Sequence, residues 1–302
     1  MSLLGEQEAA TAGPALAVRQ AAPGQSSLSR ARLIGIVTTY LGLTAFGILA
    51  VFPLIWIFTV SLQASGGATL GITIPIPPHW SSYTDAIKAL PLLTFLENST
   101  IITLTATVGA LLSSSLVAYS LARLRWPGRD AVFALVVVTL LLPGIVTLVP
   151  TFIIFKELGW LNTFLPLIVP QWAGSAFFVF LMRQFMRGLP PEMDEAARVD
   201  GASNVGIFWY IILPLSGPVL AAVAIFSFLN NWNDFLAPSI YLSSIQNYTL
   251  ALGVFMYQGR YGNDWNLVMA ASMFIVVPVL VVFLAAQRYF IRGIQLTGLA
   301  GR

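Results

Sequence analysis

The sequence has no cysteine, a single histidine and only 9% charged residues in a chain of 302. Without cysteine there can be no disulfide, no thiolate metal site and no cysteine nucleophile. One histidine is too few for a multi-histidine metal site. Soluble domains carry about 25% charged residues. A chain with so little charge and 57% hydrophobic residues must therefore bury apolar surface in lipid.

Six apolar segments are long enough to cross a bilayer as helices, which takes about 20 residues each. The first four run from about Leu33 to Leu62, Ser99 to Ala122, Ala131 to Phe155, and Phe164 to Met186. The fifth begins near Pro218 and is interrupted by polar residues around Asn230, and the sixth runs from about Leu267 to Phe290. Pro143-Gly144 and Pro150 interrupt the third segment, so we expect that span to be kinked or broken. The pattern predicts an all-α polytopic membrane protein with six transmembrane helices.

The first 32 residues differ in composition, being rich in Ala, Gly, Ser, Gln and Pro. This composition predicts a disordered tail at residues 1–32, ahead of a membrane domain at residues 33–302. A signal peptide is the competing interpretation. It is less favoured because no apolar core follows a basic start within this stretch.

Basic residues alternate between the loops, and this alternation predicts the orientation of the chain, because cytoplasmic loops carry an excess of Lys and Arg. Twelve of the fifteen basic residues fall on one side of the predicted membrane: Arg19, Arg30, Arg32, Arg123, Arg125, Arg129, Arg183, Arg187, Arg198, Arg288, Arg292 and Arg302. The other three connections hold one each, at Lys88, Lys156 and Arg260. We expect both termini, and the loop after the fourth span, to be cytoplasmic.

That loop, at about residues 188–217, contains the densest cluster of charge in the chain. Pro190 and Pro191 suit the start of a helix, where no amide donor is needed. Three acidic residues follow in or near the first turn, where negative charge favours the helix dipole: Glu192, Asp194 and Glu195. Ala196 and Ala197 favour helix and leave no bulk, so another surface could approach closely.

Gly201 then predicts a turn, since glycine readily adopts the left-handed conformation that ends helices. A second helical stretch from Ser203 to Leu213 follows, and Pro214 is expected to stop it. The loop is thus predicted to form a rigid knob on the cytoplasmic face. From composition alone, an amphipathic loop lying on the lipid headgroups is an open alternative.

The spacing within this loop is more specific than its composition. Glu195-Ala196-Ala197 are followed after three residues by Gly201, after nine more by Ile211, and one residue later by Leu213-Pro214. This pattern resembles the EAA loop of bacterial ABC-importer permeases, and every specified position matches. The resemblance implies that the loop docks into a cleft of an ATP-hydrolysing subunit. The ATPase-coupling residues would then be Glu195, Ala196, Ala197, Gly201, Ile211, Leu213 and Pro214.

Three further stretches resemble carbohydrate-type, MalG-like permeases: residues 98–130, with AYSLARLRWPG near their end; residues 228–242, which contain WNDF; and the C-terminal tail. The tail closes with Gly298-Leu299-Ala300-Gly301-Arg302, where that family usually has a lysine and a glycine after GAV. The resemblance covers about residues 33–302 and leaves the N-terminal tail outside it.

The resemblance implies a type I ABC-importer permease fold in a bacterial or archaeal cytoplasmic membrane. It implies four kinds of partner: a second permease, usually a different chain; two ABC ATPase subunits that bind ATP and Mg; an extracytoplasmic solute-binding protein; and a sugar or oligosaccharide substrate. No nucleic-acid partner is expected. Glu195 is the residue we expect to contact a basic group in the ATPase cleft. Its alternative role is to stabilise the helix start, by about 0.3–1 kcal/mol.

Polar residues at the end of the fifth span are the candidate lining of the substrate path: Asn230, Trp232, Asn233 and Asp234. A charged side chain costs about 2.5–3.5 kcal/mol at the centre of a spanning helix, so such residues usually face a cavity or a partner helix. Sugar sites commonly combine amide and carboxylate groups with an aromatic face. Interhelical hydrogen bonding, or simply the membrane edge, is the alternative.

Other functional classes fit the sequence less well. An intramembrane enzyme would need a nucleophile, a metal site or a carboxylate pair within the spans, and the sequence shows none, so no catalytic, cofactor-binding or metal residue is assigned. There is no GxxxxGK[ST] phosphate loop, so we expect ATP to be bound by partner subunits. An ATP-independent secondary carrier would leave the EAA pattern unexplained. A permease for another solute, such as a polyol or glycerol phosphate, is the nearer alternative.

Overall fold

The computed structural model describes residues 30–64, 75–261 and 264–299, and within these ranges the chain is helical, with no strand. Most of the predicted tail at residues 1–32 lies outside the described residues, and the first helix begins at Arg30. The chain divides into two units, Met1–Pro53 and Leu54–Arg302. The described part of the first unit is the amino-terminal portion of the first helix, and all other described elements belong to the second unit.

The helices follow one another along the chain. In order they are α1 (Arg30–Ser61), α2 (Ser81–Ala89), α3 (Leu92–Arg123), α4 (Arg129–Thr139), α5 (Gly144–Glu157), α6 (Leu165–Ile168), a 3₁₀ turn (Val169–Ala173), α7 (Ala176–Arg187), α8 (Glu192–Val199), α9 (Asn204–Ile207), a π-helical turn (Phe208–Ile212), α10 (Leu213–Leu215), α11 (Gly217–Trp232), α12 (Leu236–Tyr241), a 3₁₀ turn (Ile245–Asn247), α13 (Leu250–Tyr261) and α14 (Trp265–Leu299).

The helical membrane fold predicted from the apolar segments is confirmed. Four described segments are long and apolar enough to cross a membrane: Leu33–Ser61, Leu92–Arg123, Leu165–Arg187 and Trp265–Ala285. Two bent pairs raise the number to six if each pair is one span: Arg129–Thr139 with Gly144–Glu157, and Asn204–Leu215 with Gly217–Trp232. The six predicted spans correspond to these six segments.

The third span is broken, as its prolines predict, but only one of the interruptions breaks it. α4 and α5 meet at an angle of 99°, and Pro143 precedes α5 in an extended conformation. Pro150 lies inside α5 and does not end it. The prediction that Pro150 also interrupts the span needs this correction, because a helix can retain one proline when neighbouring groups satisfy the freed carbonyl.

The fifth span differs from its prediction at both ends. α11 continues past Asn230 to Trp232, so the polar residues cap the helix end and do not interrupt it. At its start, α11 is bent by 78° away from the preceding segment Asn204–Leu215. The bend lies at Ser216, whose buried hydroxyl donates to the carbonyl of Ile212 at 2.7 Å.

One helix and one break were not expected from the sequence. The connection between the first two spans, at residues 64–91, contains α2, while its residues 65–74 lie outside the described ranges. The fourth span is not a continuous helix, because a 3₁₀ turn and Gly174, at a φ of +91°, separate α6 from α7.

α3 is the central helix of the second unit and packs against α7, α11 and the 3₁₀ turn of the fourth span. Its buried face has small residues at four-residue intervals: Ala106, Ala110, Ser114 and Ala118, all with no exposed surface. Small side chains let helix backbones approach closely, and this is how helices associate in membranes, where the hydrophobic effect between them is absent. α3 therefore packs against most of the other spans of this unit.

Candidate functional site

The loop after the fourth span forms the helix, turn and helix that its sequence predicts. α8 begins at Glu192, directly after Pro190-Pro191, and its first turn contains all three predicted acidic residues. Gly201 adopts a φ of +81°, the left-handed conformation that the turn requires. The hydroxyl of Ser203 then accepts a hydrogen bond from the Gly206 amide at 3.1 Å, which caps α9.

The sequence predicts that the second helical stretch stops at Pro214. In the structure the stretch continues to Leu215. The chain forms a π-helical turn at Phe208–Ile212 immediately before α10, which has Pro214 in its first turn. A proline lacks the amide hydrogen that the regular helical ladder needs. The wider hydrogen-bond pattern of a π turn adjusts the ladder at this point, so the helix can incorporate the proline.

Arg123, at the end of α3, fixes the start of the loop. Its guanidinium donates to the carbonyls of Leu189 at 2.8 Å and Pro190 at 2.9 Å. The same group forms an ion pair with Asp194 of α8, with Nε 2.9 Å from Oδ2, and the two side chains are only 6% and 8% exposed. A single buried group thus joins α8, and the two carbonyls ahead of it, to the central helix.

A second attachment joins α3 to the far side of the loop. The hydroxyl of Tyr119 donates to the Asn204 carbonyl at 3.0 Å, and its ring lies 5.2 Å from that of Phe208. Both aromatic rings are buried in one apolar cluster with Ala197 and Ile207. α8 and α9 are therefore each attached to the last turns of α3.

Arg183, near the end of α7, completes the base of the loop. Its Nε donates to the Leu121 carbonyl at 3.1 Å, and its guanidinium lies over the ring of Phe133 at 3.5 Å from the centroid. One of its terminal nitrogens is 3.6 Å from a carboxylate oxygen of Asp130. Arg123 and Arg183 are thus buried structural groups, although the sequence suggested only that they mark the cytoplasmic side.

The residues of the EAA pattern divide into an exposed set and a packed set. Glu195, Ala196 and Gly201 are exposed. Glu195 lines an open groove of about 460 Å³ together with Arg125, Trp126, Arg198, Asn204 and Leu124. The exposed set can therefore contact a partner, on a surface that also includes the basic connection between α3 and α4.

The remaining residues of the pattern belong to the interior of the loop or its return to the membrane. Ala197 is buried, while Ile211 and Leu213 are half-buried against the same apolar cluster. Pro214 is exposed. The packed residues hold the loop in shape, so the predicted coupling role applies to them only indirectly.

The four predicted path residues do not share one environment. Asn230 and Asn233 are exposed at the end of α11. Trp232 is 3% exposed, stacks on Phe228 and donates its indole N–H to the Ile275 carbonyl of α14 at 3.1 Å. Trp232 therefore presents no surface to a path in this structure, which differs from its predicted role as an aromatic lining.

Asp234 lies after the fifth span and is half-buried. Its carboxylate accepts a hydrogen bond from the Ala237 amide at 3.3 Å at the start of α12. Burial raises the pKa of the Asp234 carboxyl, an effect that outweighs the backbone hydrogen bonds from Ala237 and Leu236, which lower it. Asp234 therefore satisfies a backbone amide at the start of α12, and its contact with substrate stays a prediction.

Among the described residues, no group of three or more His, Asp or Glu side chains lies close enough together to hold a metal ion.

Sequence reasoning missed the attachment of the loop, for which the signals are weak but present. Asp194 and Ala197 are three residues apart, so they share one face of α8, and that face is buried. The carbonyls of Leu189 and Pro190, just ahead of α8, need a donor from outside the loop. The arginine that ends the second span, Arg123, could have been named as that donor.

Comparison with known proteins identifies one family of transport proteins. The profile of the family described as binding-protein-dependent transport system inner membrane component matches residues 110–296. This stretch begins within α3, ends within α14 and includes the whole loop from α8 to α10.

Individual relatives match over most of their length. The arabinooligosaccharides transport system permease protein AraQ of Halalkalibacterium halodurans is 36% identical over 266 residues, 86% of this chain and 95% of that protein. The sn-glycerol-3-phosphate transport system permease protein UgpE of Yersinia pestis is 36% identical over 257 residues, 82% of this chain and 91% of that protein. A chain from the crystal structure of a bacterial ABC transporter that imports the acidic polysaccharide alginate matches with a TM-score of 0.75 and 25% identity, over 87% of this chain and 98% of that one.

Proposed function

The chain belongs to the family of binding-protein-dependent transport system inner membrane components, and from this premise we propose that it carries a sugar or an oligosaccharide into the cytoplasm. It is a transmembrane permease and not an enzyme. A second permease, an extracytoplasmic solute-binding protein and two ABC ATPases complete the transporter. ATP and Mg bind to the ATPases, and this chain holds no cofactor.

The loop from α8 to α10 is the coupling element of this proposal. The observation that carries it is the combination of an exposed Glu195-Ala196 face with a buried attachment through Arg123. An ATPase that pulls on the exposed face moves α8, and the buried ion pair transmits the movement to α3. A floppy loop would lose such a movement in its own conformational entropy. The fixed geometry at Gly201 and the two attachments to α3 limit that loss.

The solute class follows from the relatives. AraQ is described as transporting arabinooligosaccharides, and UgpE as transporting sn-glycerol 3-phosphate. We propose the saccharide class because the alginate importer, which the fold matches, also moves a saccharide. Glycerol phosphate or a polyol is the second candidate.

Purification of the assembled transporter tests this function. The chain is co-expressed with its genomic neighbours, and the wild type is compared with a Glu195→Ala, Gly201→Pro double variant. We expect the wild type to co-purify with an ATPase that a loaded binding protein stimulates in liposomes, and the variant to lose stimulation or assembly. Solute flux that persists without any ATPase would contradict the proposal. Stimulation by glycerol 3-phosphate alone would replace the saccharide with the second candidate.

A further inference from the structure

The coupling loop does not explain the break in the first half of the fourth span, at residues 169–175. We propose that Gln171 and Trp172, in this break, contact a neutral, hydroxyl-rich solute as it crosses the membrane. The proposal rests on the proposed import function. It places a solute contact on the fourth span, whereas the predicted path residues lie on the fifth span.

The backbone provides the first argument. The segment Leu165–Arg187 is long and apolar enough to cross the membrane, yet a 3₁₀ turn, Gly174 and Ser175 interrupt it before α7 begins at Ala176. Irregular backbone at membrane depth is tolerated only where protein buries it or where it lines a water-filled cavity. Discontinuous helices of this kind form the solute sites of many carriers.

Two serines of α3 hold the break in one geometry. The hydroxyl of Ser113 donates mainly to the Gly109 carbonyl of its own helix at 2.7 Å and lies 3.3 Å from the Gln171 carbonyl. The hydroxyl of Ser114 accepts from the Ser175 amide at 3.3 Å. The Ser114 contact satisfies a backbone amide that the interrupted helix leaves unpaired. The break is therefore a fixed part of the packing between α3 and the fourth span.

Trp172 is held against the central helix while much of its surface stays open. A Cβ atom at Gly109 would collide with the indole ring, so only glycine at that position lets the ring approach the α3 backbone. The side of Trp172 that faces away from α3 leaves the residue 46% exposed. Position 172 thus presents a fixed aromatic surface, the type of platform on which the apolar face of a sugar ring packs.

A polar group accompanies this surface. The indole Nε1 of Trp172 lies on the side of the ring that packs at Gly109, so the ring presents its apolar part outward. In the part of the chain that the structure describes, the side-chain amide of the neighbouring Gln171 is half-buried and has no hydrogen-bond partner. An unpaired polar group is costly in hydrocarbon, so this amide is better placed against water and solute hydroxyls than against lipid. An aromatic surface beside a polar group is a usual combination in a small-molecule site.

The charge of the segment determines the solute class. The chain from Leu165 to Met182 contains no charged residue. A phosphate-bearing solute at this position would lose its hydration, and this segment has no cation to compensate its charge. Burying an uncompensated charge is costly. The contact therefore favours a neutral saccharide over glycerol 3-phosphate.

Cysteine labelling tests the contact in the assembled transporter, since the chain has no natural cysteine. Gln171→Cys and Trp172→Cys are treated with a membrane-impermeant maleimide in proteoliposomes, with and without binding protein loaded with an arabinooligosaccharide. We expect both cysteines to be labelled and the solute to slow the labelling. Ile153→Cys, on the exposed apolar face of α5, is the control, and its labelling should not depend on solute. Cysteines that never react show that the second permease covers the segment, and labelling that ignores solute shows that no solute binds there; either result overturns the proposal.

Uptake measurements provide an independent test. We expect Gln171→Ala to raise the half-saturating concentration of arabinooligosaccharide about fivefold, the effect of one lost hydrogen bond. Trp172→Ala should raise it about tenfold or more, while Trp172→Phe, which keeps an aromatic surface, stays near wild type. Unchanged uptake in all three variants would refute the contact. Equal protection and uptake with sn-glycerol 3-phosphate would refute its neutral class. A wild type that imports neither probe would instead count against the proposed function itself.

Discussion

At the scale of single residues, Asp194 and Glu195 show how two adjacent carboxylates take different roles. Successive residues of a helix point about 100° apart, so only one of the two faces the protein. Asp194 is buried against Arg123, while Glu195 is exposed beside the groove formed with Arg125 and Trp126. One acid attaches the loop, and the other remains available to a partner.

Glu195→Ala should impair coupling without destabilising the chain. The side chain is exposed, so we expect a stability change within about 0.5 kcal/mol, apart from a small helix-dipole effect. ATPase stimulation by the loaded binding protein should fall strongly, because the proposed partner contact is lost. Glu192→Ala is the matched control, since Glu192 is also an exposed acid in the first turn of α8. Equal effects of the two variants on coupling would show that only the charge of the first turn matters.

Arg123→Ala should destabilise the loop by about 3–5 kcal/mol, because it leaves the carboxylate of Asp194 buried without a partner. The two carbonyls that Arg123 serves also lose their donor. The thermal unfolding of the purified complex, followed by tryptophan fluorescence, measures the loss.

The matching double variant, Arg123→Leu with Asp194→Leu, separates a buried ion pair from a general requirement for arginine. Replacing both charges by apolar groups of similar size is often neutral for stability. We therefore expect the double variant to recover part of the loss seen with Arg123→Ala. A double variant that is less stable than the single one would contradict this account.

At the scale of elements, the coupling loop consists of α8 and the helical stretch that starts with α9, and its shape depends on the turn between them. Gly201 takes a left-handed conformation, and an added Cβ there would meet no other atom within 4 Å. Any penalty at this position is thus conformational and not steric. α9 follows this turn, and the Tyr119 hydroxyl of α3 donates to the carbonyl of its first residue, Asn204.

Gly201→Ala should cost about 1–2 kcal/mol, the penalty for an L-residue in the left-handed region. We expect it to lower the unfolding temperature of the complex and to weaken coupling in proportion. Gly217→Ala is the matched control, because Gly217 also has open space around it but no positive φ. That variant should be neutral or slightly stabilising, by about 0.4–1 kcal/mol. A loss of the same size in both variants would refute the conformational explanation.

At the scale of the whole molecule, α3 connects the proposed points of action. Its last turns bind the coupling loop through Arg123 and Tyr119, and its middle supports the broken fourth span through Ser113 and Ser114. A displacement of α8 would reach the break of the fourth span through this one helix. This arrangement gives a physical route between ATPase and solute, and each of its contacts can be tested separately.

The orientation of the chain is a prediction at the same scale. Because twelve of the fifteen basic residues fall on one side of the predicted membrane, we expect the C-terminus and the coupling loop to face the cytoplasm. A fluorescent protein fused after Arg302 should mature and fluoresce, while alkaline phosphatase at the same position should be inactive. Alkaline phosphatase inserted at Ser243, between α12 and α13, should be active. The reverse pattern would invert the topology and remove the coupling loop from the ATPases.

The sequence alone determined the features that depend on local order. Apolar length fixed the positions of the six spans, because a bilayer requires about 20 apolar residues per helix. The turn at Gly201 and the start of α8 after Pro191 followed from backbone chemistry, which acts within a few residues. The motif spacing indicated the family, which the family profile and the relatives confirmed.

The tertiary structure alone decided which residues are partners. The pair Arg123 and Asp194 is separated by 71 residues, and no local pattern encodes a contact across that distance. Trp232 was expected to line a path but is buried, because Phe228 stacks on its ring and α14 supplies its hydrogen-bond acceptor. In the break of the fourth span, Trp172 packs at Gly109 and the Ser175 amide pairs with Ser114, both on α3. Local sequence specifies helices and turns, whereas burial and pairing depend on which faces the packed helices bring together.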